Sequence, residues 1–506
     1  MGPDRRRGRP QRLRPPDALG GDEGGRRGHR RPHDQPVTDS RMTSQRVVII
    51  GGGPGGYEAA HVAAQLGAEV TIVDTDGVGG SAVLTDCVPS KTLIATAEVM
   101  SDLADAAELG VTFADAEGDV ATSIRVDLAT VNARVKRLAA AQSADIGRRL
   151  DRDGVTVLRG RGSLVGPDRV LARLADGTEQ VLEADAILLA TGAAPRTLPT
   201  AQPDGERILT WEQVYDLTEV PTELIVVGSG VTGAEFASAY LNLGIPVTLV
   251  SSRDHVLPGE DADAAKVLED VLTRRGMTVL ARSRMESVSR DGDRVTVTLT
   301  DGRTVEGSHC ILALGSVPNT AGLGLEEAGV VLDDGGFVNV DRVSRTSARG
   351  IYAAGDCTGV LMLASVAAMQ GRIAMWHFLG DAVQPLDLKT VSSNVFTAPE
   401  IATVGWSQRA MEEGEILAEV VMLPMSGNPR AKMQGVRDGF VKLLCRPGTR
   451  TIVGGVVVGP RASELIHPVA IAVAESLTAD QLAQAFTVYP SMSGSIAEAA
   501  RRLHRA

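Results

Sequence analysis

Two glycine clusters in this chain of 506 residues have the spacing that cradles the phosphates of a dinucleotide. The first is Gly51-Gly52-Gly53-Pro54-Gly55-Gly56, in which Gly51, Gly53 and Gly56 satisfy G-x-G-x-x-G. The first glycine permits a tight turn, the second lets backbone approach a pyrophosphate, and the third lets a helix lie close to a strand. Asp74 follows 18 residues after Gly56, where a carboxylate accepts hydrogen bonds from ribose hydroxyls. The second cluster, Gly228-Ser229-Gly230-Val231-Thr232-Gly233, repeats the spacing through Gly228, Gly230 and Gly233. It leads to Ser251-Ser252-Arg253, with no acid. A carboxylate there favours NAD and repels a 2′-phosphate, whereas hydroxyls and a cation accept one. Ser251, Ser252 and Arg253 therefore predict a site that tolerates or prefers NADPH, the alternative being an Arg253 that simply points into solvent.

Each cluster needs a strand before it and a helix after it. Arg46–Ile50 is a short apolar run suited to a buried parallel strand. The stretch from Tyr57 to Ala64 reads as the helix whose positive N-terminus faces the phosphates, and residues 70–73 as the second strand. The repeat has Leu224–Val227 as its strand, a helix to about Leu243, and Val247–Val250. Two such units imply two dinucleotides, one parked and one exchangeable. Residues 346–356 read as a further strand ending in Gly355-Asp356.

Composition narrows the class. With 43% hydrophobic and 23% charged residues, the chain supports about three packed domains. Its 4 cysteines, Cys87, Cys310, Cys357 and Cys445, are scattered, which excludes a disulfide scaffold and points to the reducing cytoplasm. No metal site is expected. No apolar run approaches the ~20 residues of a membrane span. The net charge of −12, with basic residues dispersed through the body, argues against nucleic acid as a partner. Residues 1–41 are rich in Arg, Gly and Pro and are expected to be disordered. No apolar stretch of a signal peptide follows Arg14 or Arg31. A basic arm for an acidic partner is the lesser alternative, and Met42 offers a second translation start.

Taken in order, these units resemble a known family. Both glycine clusters, Ala190-Thr191-Gly192, the run from Leu314 to Asn319, Gly355-Asp356 and the block from Val395 to Gly405 match the flavoprotein disulfide reductases. That is the family of dihydrolipoamide dehydrogenase, glutathione reductase and mercuric reductase, and the likeness extends from about Arg46 to Arg501. It implies an α/β fold with two Rossmann-like dinucleotide-binding domains, for FAD and NAD(P), and a C-terminal α+β dimerisation domain. The implied division is an extension over 1–42, an FAD domain over 43–197 and 319–390, an NAD(P) domain over 198–318, and the dimerisation domain over 391–506. FAD would be held by Gly51, Gly53, Gly55, Gly56, Asp74, Gly79, Gly80, Lys91, Gly162, Thr191, Gly192, Leu363, Ala364 and Asp356, the last bonding the ribityl chain. NAD(P)H would be held by Gly228, Gly230, Gly233, Glu235, Ser251, Ser252, Arg253 and Gly315. A homodimer is expected.

The departures from the family pattern decide the activity. Disulfide-reducing members carry G-G-x-C-x-x-x-x-C-x-P-S-K, and here Gly79 to Lys91 has Ala82 at the first cysteine position and only Cys87 at the second. One thiol cannot form the intramolecular disulfide that relays electrons to a dithiol. The family's acid/base signature H-P-x-x-S-E reads Tyr489-Pro490-Ser491-Met492-Ser493-Gly494. A phenol of ordinary pKa near ~10 is a poor general base at neutral pH. Lipoamide and glutathione reduction are thereby disfavoured. Lys91 matches the family lysine beside the flavin and Glu235 the carboxylate that keeps it charged. Cys87 reads either as a thiolate in contact with the flavin or, preferentially, as an inert residue. Tyr489 reads as a donor to a quinone carbonyl from the partner subunit or as interface packing, and His467 as an interface residue. The chain therefore resembles the quinone-reducing relatives that lack the disulfide, with hydride passing from NAD(P)H to FAD and then to a quinone. A soluble NAD(P) transhydrogenase and a non-catalytic flavin-binding protein are the alternatives.

Overall fold

The computed structural model describes residues 44–104, 106–111 and 125–504, so the extension expected at the N-terminus lies outside them. Arg46–Ile50 is an interior strand of a seven-stranded sheet. It pairs in parallel with Glu69–Asp74 on one side and Ala186–Leu189 on the other, and Ile351–Ala353 joins in parallel beyond the latter. Thr156–Leu164 extends the parallel part, and Arg169–Leu174 and Glu179–Glu183 finish it as an antiparallel meander. The strand expected over residues 346–356 is confined to Ile351–Ala353, because a turn with Gly350 at φ 79° precedes it and Gly355, at φ 84°, leads into a 3-10 turn from Asp356. Helix Pro54–Gln65 crosses behind this sheet and packs on Ala364–Leu379. A Cβ at Gly371 would overlap the Gly55 carbonyl oxygen, so these two helices approach at glycine. Arg372 and Glu58 clamp the same pair at 2.7 Å.

The second unit is a five-stranded, all-parallel sheet with Leu224–Val227 flanked by Val247–Val250 and His309–Leu312. All four residues of Leu224–Val227 are buried, as a central parallel strand covered on both faces must be. A small antiparallel sheet, Met285–Asp291, Arg294–Leu299 and Thr304–Gly307, is appended to it. Where the chain passes between the two units, Ala193–Pro195 and Ser316–Pro318 pair antiparallel.

The C-terminal part is a five-stranded antiparallel sheet, ordered Ser392–Val395, Glu400–Gly405, Ile452–Gly459, Phe440–Cys445 and Glu419–Pro424. Helices Ala462–Leu465, His467–Ala474, Ala479–Gln484 and Gly494–Leu503 follow its last strand. One apolar cluster runs from Leu93 and Ile94 through Leu224, Val226 and Phe236 to Val395, Ile401 and Phe440, so this sheet shares a core with the second unit. A buried charge joins them as well. The Lys442 ammonium, 1% exposed, donates to both oxygens of Asp261 at 2.9 Å, to Asp263 at 2.6 Å and to Gln408 Oε1 at 2.8 Å. Every ammonium proton has an acceptor, which is the condition under which a buried lysine stays charged. Among the described residues no helix is long and apolar enough to cross a membrane.

Candidate active site

The turn from Gly51 to Gly56 is where strand Arg46–Ile50 hands over to helix Pro54–Gln65. Gly51 has φ 104°, and a Cβ on Gly56 would overlap the Gly51 carbonyl oxygen. Helix and strand reach this distance only because the third glycine of the motif has no side chain. The helix starts with Pro54 at its first position and Gly53 as its N-cap, with no side chain capping its amides. Those amides open on a cleft of about 710 Å³. Gly51, Gly53, Gly55, Asp74, Gly80, Gly162, Thr191, Gly192, Asp356 and Ala364 line it. Gly56 and Gly79 shape the backbone behind it, Gly79 with φ 113° against Val83, and Leu363 caps the helix that begins at Ala364.

The cleft fits FAD. Its glycine-lined end presents uncapped helix amides to a pyrophosphate. Thr191 lines the cleft, and its buried hydroxyl makes no hydrogen bond of normal geometry among the described residues, the Cys357 thiol being its polar neighbour, so it is open to a ligand acceptor. Asp74, at the end of its strand, accepts from the backbone N–H groups of Gly52 at 2.6 Å, Asp76 at 2.9 Å and Gly77 at 2.7 Å. These bonds fix its carboxylate where a ribose would lie.

The Gly228 to Gly233 turn reproduces the same construction. Gly228 has φ 113°, a Cβ on Gly233 would overlap the Gly228 carbonyl oxygen, and helix Val231–Asn242 starts from Gly230 with no side-chain cap. A Cβ at Gly230 would stand in open space, as would one at Gly315. The turn therefore fits the pyrophosphate of NAD(P)H. Ser252 and Arg253 are exposed beside it, and no ion pair engages Arg253 among the described residues. Ser251 is turned inward, contrary to its reading as a coenzyme ligand. It is fully buried, its hydroxyl lies 2.7 Å from that of Ser229, and it accepts from the Arg253 amide at 3.1 Å. Its place is behind the turn, holding Ser229 and the backbone of Arg253.

Glu235 projects from the first turns of helix Val231–Asn242 and is buried. Its Oε2 accepts from Lys91 Nζ at 2.8 Å, and its Oε1 accepts from the backbone N–H of Phe396 at 2.8 Å. Lys91 Nζ also lies 4.8 Å from the centre of the Phe396 ring. Burial works against the Lys91 charge, but Glu235 more than offsets it, and the net effect raises the lysine's pKa. Lys91 stands one helical turn beyond Cys87 on helix Cys87–Ala104.

Cys87 lines the cleft, and Ala82, at the motif's first cysteine position, lines it too. Burial, reinforced by Asp86, pushes the Cys87 thiol up to about 12, which disfavours the thiolate. Burial also raises the Asp86 carboxyl against the pull of Lys91. Asp356, half-buried and within reach of the Asp86 charge, is pushed up to about 6, chiefly by burial. Tyr489 does not line the cleft of its own chain. It is 82% exposed on a loop that also leaves Phe486 and Val488 in solvent. Asp86, Thr85 and Glu212 complete the cleft wall without having been singled out from the sequence. Thr85 and Asp86 lie inside the motif that carries Cys87, and so were within reach of inspection. Glu212 comes from a segment with no motif and is tied in by the Thr85 hydroxyl at 3.1 Å.

Comparison with known proteins places this geometry. Residues 45–371 match the model described as pyridine nucleotide-disulphide oxidoreductase, and residues 391–500 match the dimerisation domain of the same family. The chain belongs to the pyridine nucleotide-disulphide oxidoreductase family. Members of this family are oxidoreductases that use FAD and NAD(P)H. The chain is 57% identical over 469 residues to a protein of Mycobacterium tuberculosis named NAD(P)H dehydrogenase (quinone), covering 90% of this chain and 94% of that one. It is 33% identical over 453 residues to the dihydrolipoyl dehydrogenase of Chlamydia pneumoniae, covering 90% and 95%. The crystal structure of LpdA from Mycobacterium tuberculosis superposes with a TM-score of 0.87 at 56% identity, over 91% of this chain and 100% of that one.

Proposed function

We propose that this oxidoreductase is an NAD(P)H:quinone oxidoreductase that moves electrons to its acceptor without a protein dithiol. The observation that carries the reading is the lone Cys87, which with Ala82 in the first cysteine position lines a cleft that otherwise keeps the family's construction. The name of the M. tuberculosis relative supports it. FAD, when bound, supplies a carrier that takes two electrons as hydride and gives them up singly or in pairs.

The residues divide the work by position. Gly51, Gly53, Gly55 and the uncapped amides of helix Pro54–Gln65 hold the FAD pyrophosphate, Asp74 its ribose, and Asp356 its ribityl chain. Gly228, Gly230 and Gly233 hold the NAD(P)H pyrophosphate, with Ser252 and Arg253 facing a 2′-phosphate. Lys91, kept charged by Glu235, is a fixed positive charge that favours negative charge developing in the cleft during hydride transfer. The chain divides into an FAD domain over 43–197 and 319–390, an NAD(P) domain over 198–318 and a dimerisation domain over 391–506. The exposed Phe486, Val488 and Tyr489 support a homodimer that buries them, with Tyr489 donating to the acceptor across the interface. Four unpaired cysteines support a cytoplasmic location.

Anaerobic titration of the purified yellow protein with NADPH, followed by menadione, tests the activity. NADPH is expected to bleach the flavin band and menadione to restore it. Bleaching without recovery, together with transfer from NADPH to thio-NAD, would instead identify a transhydrogenase. No bleaching would leave a flavin-binding protein.

A further inference from the structure

This inference rests on the quinone reading. NAD(P)H supplies two electrons and one proton as hydride, while a quinone becoming a hydroquinone takes two electrons and two protons. One proton must come from elsewhere. Where disulfide-reducing relatives place a histidine this chain has Tyr489, whose phenol can hold the acceptor by a hydrogen bond from the partner subunit but is a weaker acid than a carboxyl, and burial pushes the Cys87 thiol up to about 12.

The cleft contains carboxyl groups, and most are already engaged. Asp74 is bound by three backbone amides, Asp76 accepts from Thr75 and Glu212 from Thr85, and Asp356 is assigned to the ribityl chain. Asp86 is different. Its carboxyl lines the cleft directly before Cys87, and among the described residues no hydrogen bond reaches it. Its backbone, by contrast, is fixed at both ends, the N–H to the Ser81 carbonyl at 2.8 Å and the C=O to the Ser90 N–H at 2.7 Å. The side chain is thus presented to the cleft by a rigid turn while its oxygens remain free.

We propose that Asp86 delivers the second proton. Its carboxyl O–H bond breaks as the proton passes to an acceptor oxygen that is gaining electrons, and the carboxylate left behind takes a proton from water through the cleft mouth. The charged and titratable groups facing Asp86 are Lys91 and Cys87 from its own helix, Glu235 from helix Val231–Asn242, Asp356 from the Gly355 turn, and Glu212 and Tyr215 from the segment before Asp216. Glu235 opposes loss of the proton, the Asp86 charge in turn raises Asp356 and Glu212, and Lys91 steadies the carboxylate once the proton has gone. Burial acts in the same direction, raising the carboxyl above its usual range. The acid form is the active one, so menadione turnover falls as pH rises through the raised pKa.

The test uses the flavin-loaded enzyme with NADPH and two acceptors, menadione and ferricyanide, the second of which takes electrons without a proton. Asp86→Asn is expected to lower the ratio of menadione to ferricyanide turnover about 100-fold, the usual scale of a lost general acid. The alkaline fall in menadione kcat should vanish with it, and Asp86→Glu should restore most of the ratio. An unchanged ratio, or an alkaline limb that persists in Asp86→Asn, overturns the assignment. A wild-type enzyme that reduces ferricyanide but not menadione overturns the quinone reading, and Asp86 falls with it. Should Asp86→Asn lose its flavin, the wild type decides. A solvent deuterium effect on menadione turnover and none on ferricyanide supports the assignment, and equal effects overturn it.

Discussion

The chain builds the same phosphate-binding turn twice and finishes it in two different ways. Gly51 and Gly228 have φ angles of 104° and 113°, and each is closed by a glycine whose Cβ would strike the carbonyl oxygen of the first. Both helices start uncapped from a glycine. The difference begins at the end of the following strand. Asp74 presents a carboxylate locked by three amides, whereas Ser251 is withdrawn into the interior and leaves Ser252 and Arg253 outside. The surroundings differ too. The first turn is walled by Thr191, Asp86, Glu212 and Asp356, while the second opens on solvent at Gly230. Backbone geometry fixes how phosphate is held, and the strand end and the walls set which nucleotide is held and for how long. A walled site suits a resident cofactor, and an open one suits a coenzyme that leaves every turnover.

Equivalent damage to the two turns should break this comparison most sharply. Gly56→Val is expected to yield protein with less than about a tenth of the wild-type flavin, because the added methyls force strand and helix apart. Gly233→Val should keep its colour and lose about 100-fold in the rate of reduction by NADPH, since only the second turn is spoiled. Flavin absorbance and stopped-flow reduction measure both, and loss of flavin in both variants would mean that the two sites are not separable. A smaller effect is expected at the strand end. Arg253→Ala should raise KM for NADPH about tenfold, the scale of one exposed charge-assisted hydrogen bond, and leave KM for NADH nearly unchanged. Equal changes for the two coenzymes would return Arg253 to solvent. The least effect belongs to Cys87. With its thiol held up to about 12, no long-wavelength charge-transfer absorbance should emerge between about pH 7 and 10, and iodoacetamide should react slowly throughout. A band rising near neutral pH would show a thiolate and restore the sharper role for this cysteine.

How much of this was legible in the sequence depends on how locally each feature is determined. The strand–glycine–helix units could be read because steric closeness at Gly56 and Gly233 leaves only one residue type, and spacing then places the helix. The family likeness likewise followed from motifs in order. Ser251 marks the limit, for a hydroxyl at the right spacing looks the same whether it faces a ligand or, as here, the hydroxyl of Ser229. The strand over residues 346–356 was overestimated because the chain turns on both sides of it, at Gly350 before and at Gly355 after. Glu212 was out of reach altogether. It meets Thr85 across 127 residues of sequence, and only the completed fold brings them together.

The buried ammonium of Lys442 bears on how the chain can be re-engineered. Its four short bonds run from the C-terminal sheet to Asp261 and Asp263 at the start of a helix in the second nucleotide unit, and to Gln408. A chimera that exchanges the C-terminal sheet for that of a relative carries this lysine with it, or strands the buried Asp261 carboxylate and leaves the half-exposed Asp263 without its partner. The seam between modules is thus written into residues on both sides. A grafted sheet will seat only when Asp261, Asp263 and Gln408 travel as a set with position 442.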